Sequence, residues 1–276
     1  MPEMGRVLTD MLADLERLGV QRGDCLTVHS SFKALGLKEA APVDVIRTLL
    51  EALGDQGTLM MPTFTYSFAG IYGVEPFNPL TSPGRGNGVL SETLRCYPGA
   101  LRSAQPTYSV AVIGKLAQQL IQSKENASML GIGSSYHEAN ELGAKILLLG
   151  VGNVANSMIH TAETLAGLPY QDIPVRAFWG RTALVERDGR AAEVLLPVEY
   201  PGCSLSFGIA DAYLEAKGVL QRGRVCAAEC MLMEARSMIT AVVERLQLEP
   251  DWLLCHNFAC EPCNLRRHRL HAMGMI

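Results

Sequence analysis

A chain of 276 residues that is 48% hydrophobic and 19% charged has the make-up of a soluble globular protein, with enough length for one large core or two small ones. Its net charge of -4 argues against a nucleic-acid binder, which would show a basic excess, and suits a cationic partner. The first twenty residues lack the apolar core of a signal peptide and no later run reaches transmembrane length, so a cytoplasmic protein without membrane association is expected. In that reducing compartment the eight cysteines are expected as free thiols or metal ligands.

Val7, Met11, Leu12, Leu15 and Leu18 recur at helical spacing and predict an amphipathic helix over 6–18. A strand over 25–29 follows, then a loop in which Ser30 and Ser31 either face a ligand or cap the next turn. Val43, Ile46, Leu49, Leu50 and Leu53 predict a helix over 42–53 ended by Gly54. The run GTLMMP reads as a strand stopped by Pro62, opening into a long loop rich in Gly, Pro and Asn. A helix is expected over 88–97, a strand over 108–113 and a helix over 114–122. A short helix capped by Ser134 or Ser135 comes next.

The run KILLLGVGN reads as a buried strand feeding a loop, followed by a helix within 156–170. Two strands joined at Asp188-Gly189 predict an antiparallel hairpin, and helices are expected over 207–217 and 234–246. The fold class that follows is α/β: a layered α/β/α sandwich around a mixed central sheet, with a β-hairpin and helices in the C-terminal half. One main domain over 1–250 is expected, with a cysteine-rich extension over 251–276 packed on it.

His160 and Glu163, three apart in the helix after KILLLGVGN, leave one face as neighbours. A carboxylate beside an imidazole fixes its tautomer and can make it a general base. The bland alternative is an ordinary surface pair. His29 at a strand end is either functional or a satisfied structural histidine. Glu92 and Arg95 either pair within their helix or point Glu92 into a site. No GxSxG elbow, P-loop, HExxH or dinucleotide fingerprint is present, which removes the commonest hydrolase, kinase, zinc-protease and Rossmann readings.

The segments HSSFKALG, GTLMMPTFT, GNGVLSETLR, LRSAQPTYS and IHTAETLAGLPY, in this order, resemble the aminoglycoside 3-N-acetyltransferase family of antibiotic acetyltransferases. The resemblance runs from about Val7 to about Leu246 and implies transfer of acetyl from acetyl-CoA to an amine of an aminoglycoside, at the 3-amino group. It implies His160 as base, Glu163 orienting it or binding cationic groups, and Glu92 as a further catalytic candidate. His29, Ser30, Ser31, Arg102 and Ser103 match positions that in the family lie against CoA. Where family members usually read RSxHPxHS, this chain has Gln105 and Tyr108 in place of both histidines, neither of which titrates near neutral pH. That departure keeps two alternatives in view: an acetyltransferase of another amino sugar or amine natural product, or a non-catalytic homologue that binds CoA or an amine.

Cys255, Cys260 and Cys263 stand as C-x4-C-x2-C near the end of the chain. With Cys230 as a fourth ligand they would make a tetrahedral structural zinc site; otherwise the segment is simply packed and reduced. The basic run at 266–269 is expected to be a solvated terminal face.

Overall fold

Three apolar runs buried on both faces, β1 (Cys25–Ser30), β2 (Thr58–Pro62) and β5 (Lys145–Leu149), lie parallel at the centre of the molecule, β1 between the other two. The computed structural model describes residues 2–176 and 179–276, the side chains of 2–7 excepted, so the expected core role of Val7 lies outside the described residues. Antiparallel strands complete both edges: β4 (Val110–Gly114) and the two-residue β3 (Leu101–Arg102) beside β2, and β9 (Ala228–Glu234) and β8 (Leu220–Val225) beside β5. The order across this mixed seven-stranded sheet is β3-β4-β2-β1-β5-β9-β8.

The period of two along each strand divides the core into two layers. Leu26, Val28, Leu147 and Leu149 face one side, where they meet α1 (Pro2–Leu18), α2 (Pro42–Leu53) and α3 (Gly88–Arg95). Cys25, Ile146 and Leu148 face the other, covered by α5 (Ser135–Glu141), α6 (Met158–Leu165), α7 (Ala210–Ala216), α8 (Ala235–Leu248) and α9 (Glu261–Ala272). The α/β/α sandwich with a mixed sheet is therefore the architecture of the chain. No helix among the described residues is long and apolar enough to cross a membrane.

Local chemistry sets most boundaries. α2 starts at Pro42, with Asp44 accepting the Ala41 N–H at 2.9 Å, and stops at Gly54, whose φ of 63° suits glycine. The hairpin of β6 (Thr182–Arg187) and β7 (Arg190–Leu195) turns through Asp188 and Gly189, both at positive φ. The helix expected over 114–122 shrinks to a single turn, α4 (Ala117–Leu120). Gly114 still belongs to β4 at a φ of 120°, and the Leu116 N–H donates to Thr58 Oγ1 at 2.9 Å, so the chain is tied to β2 before it can coil.

β8, β9 and α9 have no counterpart in the sequence reading. The basic run at 266–269 is a solvated face only in part: His268 is exposed and Arg267 and Arg269 are half-buried, but Arg266 is fully buried, with Cys263 and Leu270 one turn to either side along α9.

Candidate active site

The carboxyl ends of β1, β2 and β5 open onto one cleft of about 640 Å³, the position where α/β sheets commonly bind ligands. β1 delivers His29 and Ser30, with Ser31 just past its end; β2 leads to Phe64 and Tyr66; the loop after β5 supplies Val154, Asn156 and Ser157. His160 from the first turn of α6 closes this side, and Gly202 and Ser204 from the loop before α7 form a further stretch of wall.

His160 Nδ1 lies 2.6 Å from Glu163 Oε2, with the two side chains 11% and 4% exposed. The imidazole packs against Phe207 at 4.7 Å between ring centres. Because a carboxylate can only accept, the proton on the ring belongs at Nδ1 and Nε2 is left as the acceptor for a substrate. The helix carrying the pair is set by two asparagines. Asn156 Oδ1 accepts the Met158 N–H at 3.1 Å, its Nδ2 donates to Asn153 Oδ1 at 2.9 Å, and Asn153 Nδ2 donates to Asp211 at 2.8 Å. Both asparagines are buried, so the start of α6 is fixed by a chain of amides rather than by a side-chain cap at Ser157.

Gly202 fills the space between Glu163 and the buried guanidinium of Arg266. A Cβ there would lie 2.5 Å from Arg266 Nη1 and 3.1 Å from Glu163 Oε1, which only glycine avoids. Arg266 Nη2 donates to the carbonyls of Ile173 at 2.5 Å and Tyr200 at 3.1 Å, and the guanidinium stacks over the Tyr170 ring at 5.1 Å.

His29 and Ser30 belong to the lining of the cleft; His29 is almost completely buried, and its Nε2 and the Ser30 hydroxyl are shielded from solvent without a protein partner. Burial pulls the His29 imidazole down to about 4, so it is neutral. Ser31 accepts the Ala34 N–H at 3.4 Å and caps the 3₁₀ turn that follows, the structural alternative for that residue.

Part of the lining is aromatic. Trp179 stacks on Phe68 at 4.8 Å and on Tyr66 at 5.8 Å, and Tyr108 meets Phe64 at 4.6 Å. Burial pushes the Tyr108 phenol well up, so it stays neutral. Gln105, the other replacement in the RSxHPxHS pattern, turns inward: its Oε1 accepts the backbone N–H groups of Thr107 and Tyr108 at 2.7 and 2.6 Å. It shapes the loop that presents Tyr108.

Three candidates from the sequence are not brought to the cleft. Arg102 is spent within the fold: Nε donates to Ser109 Oγ at 3.1 Å, Nη2 to the Thr63 carbonyl at 2.6 Å, and the guanidinium sits over Phe77. Ser103 is fully buried and accepts the Val110 N–H at 3.0 Å. Glu92 holds Arg95 in a two-pronged pair at 2.9 and 2.6 Å and accepts the Gly84 N–H at 2.9 Å. Burial opposes the charged form of Glu92, but these donors keep its carboxyl below the ordinary range. These groups brace β3, α3 and the long loop. Conversely, Asn156, Tyr66, Trp179, Gly202 and Arg266 belong to the site or its support and were not singled out from the sequence. The only local signal was the Asn156-Ser157 dipeptide just before a helix, a common turn-and-cap pattern.

The cysteines that the fold brings together differ from the set expected from the sequence. Cys230 lies on β9 among the residues of the opposite layer, its thiol against the Ala228 carbonyl at 3.4 Å. The sulfurs that gather are those of Cys203, Cys255, Cys260 and Cys263, all within 4.8 Å of one another.

Residues 27–247 match the aminoglycoside 3-N-acetyltransferase family. Aminoglycoside N(3)-acetyltransferase IV of Salmonella sp. is 34% identical over 242 residues, covering 87% of each chain. Among solved structures, a histidine-to-alanine mutant of aminoglycoside acetyltransferase AAC(3)-IVa in complex with a gentamicin superposes with a TM-score of 0.83 at 32% identity, over 94% of this chain and 96% of that one. AAC-IIIb in a binary complex with CoASH gives a TM-score of 0.76 at 26% identity, over 87% and 96% of the two chains.

Proposed function

The chain belongs to the aminoglycoside 3-N-acetyltransferase family, and we propose that it transfers acetyl from acetyl-CoA to an amine, the 3-amino group of an aminoglycoside, by direct attack on the thioester with His160 as general base. The observation that carries this reading is the His160–Glu163 pair at 2.6 Å on the rim of the cleft, oriented so that Nε2 is the free acceptor. The amine lone pair forms the N–C bond at the thioester carbonyl and the C–S bond breaks. The proton leaving nitrogen goes to His160 Nε2 and from there to the departing thiolate. Glu163 stabilises the imidazolium that exists between these transfers.

The chemistry of the lining suggests which side chains serve each substrate. His29, Ser30 and Lys33 are among the lining residues and bring polar side chains and a cation, which suits the pantetheine arm and phosphates of CoA. Tyr66, Tyr108 and Trp179 add ring faces to the lining, which suit ammonium groups of the acceptor.

A second reading, acetylation of another amino sugar or amine natural product, is favoured by one feature: no aspartate or glutamate stands among the described residues lining the cleft. A polyamine held mainly through carboxylates would find few partners there. The test is thiol release from acetyl-CoA by the purified chain against a panel of amines, including aminoglycosides with and without the 3-amino group. Activity confined to those bearing that group supports the first reading, activity on other amines alone supports the second, and CoA binding without turnover on any amine overturns both.

A further inference from the structure

We propose that Cys203, Cys255, Cys260 and Cys263 hold one structural zinc ion that fastens the C-terminal helix α9 to the back of the cleft wall. The four sulfurs lie within 4.8 Å of one another, and Cys203 Sγ is 3.9 Å from Cys255 Sγ. Zinc in a tetrahedral tetrathiolate site, with bonds of about 2.3 Å, sets its sulfurs roughly 3.8 Å apart, so the cluster is near ligating size without the ion drawing it in. A disulfide needs its sulfurs at about 2.05 Å, and all four cysteines are free.

The cysteines come from three separate pieces of chain. Cys203 is in the loop before α7, Cys255 follows α8, and Cys260 and Cys263 stand at the cap and in the first turn of α9. Cys255 and Cys263 are buried, while Cys203 and Cys260 are half-buried, which leaves an entry path for the ion. Four thiolates around a divalent ion carry two net negative charges, and each thiol loses its proton on binding. Arg267 stands beside them, donating to the carbonyls of Leu254 and Cys255 at 3.2 and 3.4 Å, a cation where that charge would develop. The C-x4-C-x2-C spacing supplies three ligands, and the fold supplies the fourth from 52 residues upstream.

The location gives the site a purpose. Cys203 is flanked by Gly202 and Ser204, both of which line the cleft. Three residues beyond Cys263, Arg266 ties α9 to the carbonyls of Ile173 and Tyr200 and meets the glycine that abuts Glu163. Tethering α9 through Cys203 therefore fixes the wall and, behind it, the surroundings of the His160–Glu163 pair. A short terminal helix with only Cys263, Arg266 and Leu270 buried has little apolar area to dock it, and a metal link compensates.

The test is metal analysis of the full-length chain purified under reducing conditions, with thiol titration of the same sample. Wild type and Cys230→Ser are expected to carry one zinc per chain, released as the four clustered thiols are titrated with a mercurial. Cys203→Ser is expected to lose most of the metal. Should Cys203→Ser fail to fold, cobalt exchange into the wild-type chain gives the decision: intense visible absorption of a tetrahedral cobalt tetrathiolate is expected. Folded wild-type protein that takes up no zinc, a mass showing the thiols paired as disulfides, full zinc retention in folded Cys203→Ser, or cobalt spectra without thiolate bands would each overturn the proposal. None of these readouts depends on acetyl transfer, so the zinc site and the proposed activity fail separately.

Discussion

Replacing Glu163 by glutamine removes one negative charge beside His160 at nearly constant volume. The pair is 2.6 Å apart with side chains 11% and 4% exposed, so solvent and salt screen it weakly. In the native chain the carboxylate can only accept, which keeps the ring proton at Nδ1 and Nε2 free. A glutamine can turn its amide N–H toward Nδ1, moving the ring proton to Nε2 and removing the acceptor that the reaction needs. Even with the tautomer preserved, loss of a charge-assisted hydrogen bond to the developing imidazolium costs about 1.5–3 kcal/mol, or about 10- to 150-fold in rate. With the tautomer inverted, the loss approaches the roughly 10⁴-fold seen when the carboxylate of a serine-protease triad is made neutral. The assay is kcat and KM for thiol release from acetyl-CoA at saturating acceptor, with thermal melting to confirm the fold. A fall in kcat of about tenfold or more is expected, with KM for acetyl-CoA little changed, because the pair acts on the reacting proton rather than on binding. A folded variant whose kcat stays within about twofold of wild type would refute the reasoning.

Three further outcomes follow from the same geometry. Gly202→Ala places a Cβ 2.5 Å from Arg266 Nη1, and a guanidinium held by two carbonyls cannot retreat freely. A stability loss of about 1–3 kcal/mol in denaturant titration is expected, with lower turnover, whereas wild-type stability would contradict the packing described. The His29 imidazole, held down to about 4 by burial, binds a proton in the unfolded chain before it does in the folded one. Stability from this group is therefore lost as pH falls from about 6.5 through about 4, by roughly 3 kcal/mol in all, and His29→Asn should flatten the acid limb of a stability–pH curve; an unchanged limb would show that His29 protonates freely in place. Because burial keeps the Tyr108 phenol neutral, Tyr108→Phe should lower kcat by less than about tenfold, and a larger loss would assign the hydroxyl a direct part in transfer.

What the sequence disclosed depended on how far each signal was local. β1, β2 and β5 are buried on both faces and so read as apolar runs, and the hairpin announced itself through Asp188-Gly189. β8 did not, because it is an edge strand whose Arg222 and Arg224 face solvent and leave no apolar alternation. α9 was hidden for a related reason: of its twelve residues only Cys263, Arg266 and Leu270 are buried, and an arginine on the inner face disguises the stripe. Within the site, the i, i+3 relation of His160 and Glu163 was legible because helix geometry fixes it. Glu92 and Arg102 could not be sorted from site residues by sequence, since whether a charged group faces a ligand or braces a loop is decided by distant partners such as Gly84, Thr63 and Ser109. The same holds for Cys203, which has no neighbouring cysteine in sequence and joins the cluster only through the fold.

The central claim is that His160 takes the proton from an amine while acetyl passes to it from CoA. Turnover of acetyl-CoA by His160→Ala, measured beside wild type over a range of pH with the fold verified by circular dichroism, tests it most directly. The account predicts a loss in kcat of about 10²- to 10⁴-fold, with binding of CoA retained and the residual rate climbing with pH as hydroxide or free amine replaces the missing base. Near-normal turnover by a folded His160→Ala variant at neutral pH would contradict it.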